Sequence, residues 1–195
     1  KLDQIREVSE QCAADAAVHK RHRGVIGLPL GLNMYENLFF WVAFFHSLDF
    51  DLVISDISSR QLYAKGQYSV PSDTACYPAK LMHGHIENLL DKGVDTIFYP
   101  CMSYNFNEEK GDNHFNCPVV AYYPELLASN VEKLKNIRYL YPYLNLAERK
   151  TFPKKVWETL HEQYPDITLK EVKHASDKAY EAYQAQRRDI KEKGA

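Results

Sequence analysis

Apolar residues return along this chain in two rhythms. At the start, Leu2, Ile5, Val8 and Cys12 fall near helical spacing, which predicts a short helix over 1–18 with Cys12 as a small buried hydrophobe. The basic run HKRHR, 19–23, then reads as a solvated connector. Beyond it the pattern alternates. GVIGLPL (24–30) is a short apolar run closed by Pro29 and Gly31, which predicts a strand. YENLFFWVAFFHSL (35–48) is apolar on nearly every face and predicts a largely buried helix. FDLVISD (50–56) is a second strand, and SSRQLYAKG (58–66) a short helix with serines to cap it and Gly66 to stop it. A loop leads to a helix from Pro78 to about Lys92, ended by Gly93. VDTIFYPC (94–101) is a third strand, 102–116 a polar loop, CPVVAYY (117–123) a fourth strand, and PELLASNVEKL a helix.

This alternation predicts an α/β fold: an open, mainly parallel, Rossmann-like sheet with helices on both faces. From about residue 131 the pattern becomes helical. TFPKKVWETLHEQY is one helix, and a long amphipathic one follows, with Leu169, Val172, Ser176, Ala179, Tyr183 and Ile190 near one face. The expected organisation is an N-terminal helix and basic linker (1–23), an α/β domain (24–130) and a helical C-terminal extension (131–195). The extension packs on the sheet domain or on something outside the chain.

Composition narrows the functions. At 195 residues, 45% hydrophobic and 26% charged, the chain can bury a substantial core. A formal charge of -2 provides no basic field for nucleic acid. No apolar run reaches membrane-spanning length and no signal-peptide pattern opens the chain, so a cytoplasmic protein is expected. The chain begins on Lys, as a piece of a longer polypeptide or a processed product would. In that setting the four cysteines read as reduced thiols or metal ligands rather than disulfides.

The densest candidate chemistry is CYPAKLMHGH (76–85). Cys76 falls at the cap of the predicted helix, where unpaired amides and the helix dipole favour a thiolate. Cys76, Lys80, His83 and Glu87 share one stripe; Ala79, Met82, Ile86, Leu89 and Leu90 share the apolar one. His83 and His85 are two residues apart and point to opposite sides, which argues against a shared zinc ion. The bland reading of each is a polar residue hydrogen-bonded at the edge of the core. Cys101 lies just past the end of a predicted strand, where open α/β sheets bind ligands. The loop holding Cys76 enters at the same edge, so the two can face one another. No Cys-x-x-Cys is present, but wide spacing leaves an iron–sulfur site open. Cys117 begins the fourth predicted strand and so is expected at the opposite edge. GLPLGLN (27–33) is a tight turn or a phosphate loop, with Asn33 and Glu36 capping a helix or touching a ligand. GDNHFN (111–116) offers Asp112, Asn113 and His114, and turn chemistry explains the Asp and the Asn without any function.

Taken together, the runs GVIGLPLGLNMYENLFFWVAFFHSLDFDLVISDISS, PSDTACYPAKLMHGHIENLLDKGVDTIFYPCMSY and DNHFNCPVVAYYPELL resemble the acyl-CoA dehydratase activase-related family, large anaerobic proteins of the 2-hydroxyglutaryl-CoA dehydratase system, over about residues 24–130. A more distant similarity reaches the catalytic dehydratase subunits, through Cys76, Lys80, Gly84, Thr96–Tyr99 and Cys101. The resemblance implies that Cys76 and Cys101 ligate a 4Fe–4S cluster. A third cysteine, drawn in the dehydratases from a later domain, would be Cys117 or lie beyond residue 195. It also implies one-electron dehydration of a 2-hydroxyacyl-CoA, with the electron supplied by an ATP-hydrolysing activator. Leu30 stands where the family often has a basic residue, and the actin-like ATP-hydrolysing part of activases has no counterpart here. The expectation is an iron–sulfur-binding domain in electron transfer to, or activation of, that dehydration, without turnover alone. Cys76, Cys101 and Cys117 would bind metal; Asn33, Glu36, Lys80 and His83 would bind ligand. Partners would be the remainder of a larger polypeptide, or a dehydratase subunit, and an acyl-CoA, but neither nucleic acid nor membrane. The alternatives are a non-catalytic scaffold domain and a metal-free CoA-binding domain using the loop after the first strand.

Overall fold

The computed structural model describes residues 4, 7, 22–107 and 111–194; the helix expected over 1–18, Cys12 and most of the basic linker lie outside the described residues. Strand β1 (Val25–Leu28) turns through Gly31 into helices α1 (Leu32–Glu36) and α2 (Leu38–His46), and then β2 (Asp51–Ile54). Helices α3 (Arg60–Gly66) and α4 (Tyr77–Asp91) lead to β3 (Thr96–Phe98) and β4 (Cys101–Tyr104). Helix α5 (Pro118–Asn130) is followed by β5 (Arg138–Leu140), β6 (Tyr143–Asn145), α6 (Phe152–Gln163) and α7 (Leu169–Gly194).

The main sheet has the order β2-β1-β3-β5, and every pair in it is parallel. A second, two-stranded parallel sheet pairs β4 with β6. The two sheets continue one another. Thr96 lies opposite Arg138 and Cys101 opposite Tyr143, so the register does not change between them. It also puts Pro100 opposite Pro142, and two residues without amide donors facing each other interrupt the ladder. With this order the chain leaves β1 in one direction and β3 in the other. Right-handed crossovers then put α2 on one face and α3, α4 and α5 on the other. Helix α7 packs on α2 and α6, closing the first face, while α4 packs between α3 and α5 on the second.

Several expectations change in detail. The helix expected over 35–48 is split at Asn37, whose backbone (φ -101°, ψ 18°) leaves the helical region. The third strand resumes beyond Pro100, so residues 102–104 are strand where a loop was expected. The segment 117–123 is helix instead of strand. Val119 and Val120 favour a strand locally, but Pro118 fits the first helical position, where no donor is needed. The residues it buries, Ala121, Pro124 and Leu127 among them, recur at helical spacing. The last strand of the main sheet is instead β5, within the region expected to be helical.

Aromatic rings fill the α2 side. Trp41 and Phe45 both lie 4.9 Å from Phe98 of β3, and Phe40 meets Phe152 of α6 at 5.5 Å and Tyr180 of α7 at 5.1 Å. The C-terminal helices are thus part of the core. Arg23, expected in a solvated connector, ties them to the sheet. Its side chain is 5% exposed and donates to Asp166 (3.0 Å), Glu171 (2.8 Å) and the Leu48 carbonyl (3.0 Å). That bond from Arg23 is the main reason the Glu171 carboxyl is held down at about 2. Glu171 also closes a capping box with Thr168 at the start of α7. Arg23→Ala leaves two carboxylates short of a partner; since both are partly exposed, the expected loss is about 2 kcal/mol of unfolding free energy, measured by urea titration.

Candidate functional site

Sheet order places the crevice of this fold between the carboxyl ends of β1 and β3, where the connections diverge. From β1 come Asn33, Glu36 and Asn37; from β4 comes Asn105. The Asn105 amide donates to Glu36 (2.9 Å), and Asn37 donates to the Asn105 oxygen (3.3 Å). Asn33 is 3% exposed, and neither its amide nitrogen nor its oxygen has a hydrogen-bond partner among the described residues. Unpaired buried amide atoms are costly, and they mark a place where a polar guest gains two hydrogen bonds. A cavity of about 360 Å3 is lined by Glu36, Asn105, Asn113 and His114 among others, and Asn33 is not in its lining.

A second group surrounds the cysteines. Cys76 caps α4, its carbonyl accepting from the Ala79 and Lys80 amides, and its side chain is exposed. Lys80 does not turn to the thiol but donates to the Asp73 carbonyl at 2.8 Å. Cys117 is also exposed and caps α5. Because Pro118–Asn130 is a helix running back from the end of β4, Cys117 stands at the carboxyl edge near Ser103 and Tyr104, not at the opposite edge as expected. Cys101 is 1% exposed, and burial pushes its thiol up to about 11. Tyrosines gather around these thiols. Tyr123, pushed up to about 12 by burial, feels Cys76; Tyr99, Tyr139 and Tyr143 feel Cys101. Their hydroxyls were not singled out in the sequence, although YYPE and RYLYPYLN mark both clusters.

His83 and His85 do point apart. His83 bonds Ser69 (2.8 Å) through Nδ1 and the Tyr123 hydroxyl (3.1 Å) through Nε2. His85 bonds Ser55 (2.8 Å) and Ser58 (3.0 Å). Both rings are fully buried, and desolvation lowers both to about 4. With both nitrogens engaged, His83 positions Tyr123 and has none left for a guest. Glu87, on the same stripe, is buried and bound by Tyr68 and Lys133.

Two cavities flank the first turns of α5. One, of about 640 Å3, is lined by Ser103, Tyr104, Phe115, Cys117 and Tyr122 among others. The other, of about 690 Å3, lies between α5 and the loop before Cys76, with Pro71, Thr74, Val119, Tyr122 and Tyr123 in its walls. A 4Fe–4S cluster takes four thiolates as a rule. Among the described residues no three His, Cys, Asp or Glu side chains form a group that could hold a metal ion. The described residues therefore do not make a closed cluster site by themselves. Among them, too, no helix is long and apolar enough to cross a membrane.

The family model described as CoA enzyme activase uncharacterised domain matches residues 25–195. No curated protein and no solved structure matches the chain.

Proposed function

Because the chain belongs to the family described as CoA enzyme activase uncharacterised domain, we propose that it is the thiol-presenting α/β domain of an activase-related protein acting on 2-hydroxyacyl-CoA dehydration. In this reading Cys76, Cys101 and Cys117 are an incomplete ligand set. A 4Fe–4S cluster would be completed by the remainder of a larger polypeptide or by a dehydratase subunit, and would supply one-electron chemistry when bound. The observation that supports the reading is that Cys76 and Cys117 are both exposed at the starts of α4 and α5, while Cys101 follows closely after β3, at the start of β4. The chain's own residues set the terms. Cys101 would have to release its proton to bind metal, so iron uptake should release acid. Asn33 and Glu36 would face a polar ligand at the crevice, and His83 would hold Tyr123 beside Cys76.

Anaerobic reconstitution with ferrous iron and sulfide tests this. The parent chain is expected to retain iron, and Cys76→Ser and Cys117→Ser each to retain less, by iron assay and EPR. Equal iron in the parent and in a Cys76→Ser/Cys101→Ser/Cys117→Ser variant would sink the reading. It would leave the second one, a non-catalytic interaction domain, which the open cysteine set favours.

A further inference from the structure

The main sheet ends on β5, and β6 carries the same outer edge on beyond Pro142. On the inner side, the Tyr99 and Cys101 amides donate to the Leu140 and Pro142 carbonyls, each at 2.9 Å. Alternation along the strand therefore turns the peptide groups of Leu140 and Pro142 inward and those of Tyr139, Tyr141 and Tyr143 outward. Among the described residues no hydrogen bond reaches these three outward peptide groups. A bare edge is a template for another strand, and folded proteins blunt it with charge, with proline or with a covering element. Arg138 is the only charged residue in RYLYPYLN (138–145). Pro142 has its nitrogen on the inward side, opposite Pro100, so it removes no outward donor. Tyr141 is 37% exposed and Tyr143 51%, and no further strand pairs with this edge among the described residues.

The side chains of the same three residues form a stripe on one face of the sheet. Tyr139 and Tyr141 stack with centroids 5.1 Å apart and planes 30° from parallel. Helix α5 fixes the two ends: Tyr139 donates to the Pro124 carbonyl (3.0 Å) and Tyr143 to the Glu125 carboxylate (2.6 Å). This edge is complementary to itself. Laid antiparallel against a second copy about a two-fold axis at Tyr141, it sets Tyr141 opposite its counterpart and Tyr139 opposite Tyr143. Each of these pairs exchanges N–H···O bonds in both directions, because both peptide groups of each residue turn outward. Aromatic residues directly opposite one another favour the pairing. The same register sets Arg138 opposite Leu144, so the one charge does not meet itself. We propose that this edge docks a second copy of the chain, joining the two sheets into one through antiparallel pairing centred on Tyr141. The inference does not rest on the cysteines or on any cluster.

Sedimentation equilibrium on the full chain tests it. The parent is expected to form a dimer that dissociates on dilution, and the Tyr139, Tyr141 and Tyr143 amides to gain protection from hydrogen exchange as the dimer forms. Tyr141→Lys and Tyr141→Glu each set like charges across the axis and should raise the dissociation constant about tenfold or more, with an unchanged circular dichroism spectrum. An equimolar mixture of the two variants should recover the dimer, since lysine then faces glutamate, and that recovery also shows that both variants are folded. The proposal is overturned if the parent stays a monomer at millimolar concentration, if either variant alone dimerises as tightly as the parent, if the mixture stays monomeric, or if the three amides exchange as fast in the dimer as in the monomer.

Discussion

Gly84→Ala lowers the unfolding free energy by about 3 kcal/mol, against the gain of about 1 kcal/mol that helix propensity alone gives at a mid-helix glycine. The sign reverses because of what lies outside the helix. Gly84 is in the middle of α4, and a Cβ there would stand inside contact distance of the Leu62 carbonyl oxygen on α3. Gly66, at the end of α3, approaches from the other side: a Cβ on it would meet the Gly84 amide nitrogen and the His83 backbone. The two helices therefore cross backbone to backbone, and the obstacle to a methyl group is peptide rather than a side chain that can turn away. Separating them would also move His83 from Ser69 and Tyr123. Gly111→Ala is the control, since nothing lies within 4 Å of its Cβ position. Urea titration of the three proteins decides the matter. A Gly84→Ala chain as stable as the parent would mean that the helices are not in contact there.

How much of this was legible in the sequence differs from element to element. β1, β2, α3 and α4 announce themselves through apolar runs and through Ser59, Pro78 and Gly93, and each boundary falls within a few residues of its expected place. Ser59 accepts from the Leu62 amide, and Gly93 adopts the left-handed conformation (φ +77°) that ends α4. Helix α5 was not legible, because two valines outweigh a proline in any local count and only the burial of Ala121 and Leu127 decides between helix and strand. That error moved Cys117 to the wrong edge. β5 was hidden for a related reason: Arg138, Tyr139 and Leu140 are too short a run to stand out, and they become a strand because β3 is there to pair with.

The site was legible as a list of residues and not as an arrangement. Cys76 at a helix cap and Cys101 beyond a strand follow from pattern and topology. The tyrosines around them come from the end of β3 and from α5, β5 and β6, and their convergence depends on strand order, which one sequence does not state. Asn33 could be named but not distinguished from an ordinary cap. What sets it apart is that its amide is buried and unpaired, a property of the fold as a whole. A cavity of about 300 Å3 beside α7 makes the same point: Arg149 lies 38 residues before Arg187 in a turn of ordinary composition, and only the packing of α7 against α2 and α6 puts them in one wall.

Acid destabilises this fold through His83 and His85 before it reaches most of its carboxylates. Both imidazoles are buried, and burial lowers each from 6.5 to about 4. The folded state therefore resists the proton while the unfolded chain takes it up. The stability that each neutral ring represents is fully present above about pH 6.5, falls as the pH drops, and is gone below about pH 4, where folded and unfolded forms are both protonated. The size of each shift corresponds to about 3 kcal/mol. With two histidines titrating together, the slope of unfolding free energy against pH should approach two protons per molecule between these limits. Glu87 beside His83 and Asp56 beside His85 oppose the shifts but do not reverse them. Urea titrations across this window, on the parent and on His83→Gln and His85→Gln, separate the two sites. Each variant should be less stable than the parent near neutral pH, having lost a hydrogen-bonded ring, and should close the gap as the pH falls because it has one fewer proton to gain. If parent and variants run parallel across the window, the buried histidines do not carry the acid sensitivity. If His83→Gln alone flattens the curve, the link from Ser69 through His83 to Tyr123 is the acid-sensitive contact, and the loop before Cys76 is the part that acid would release.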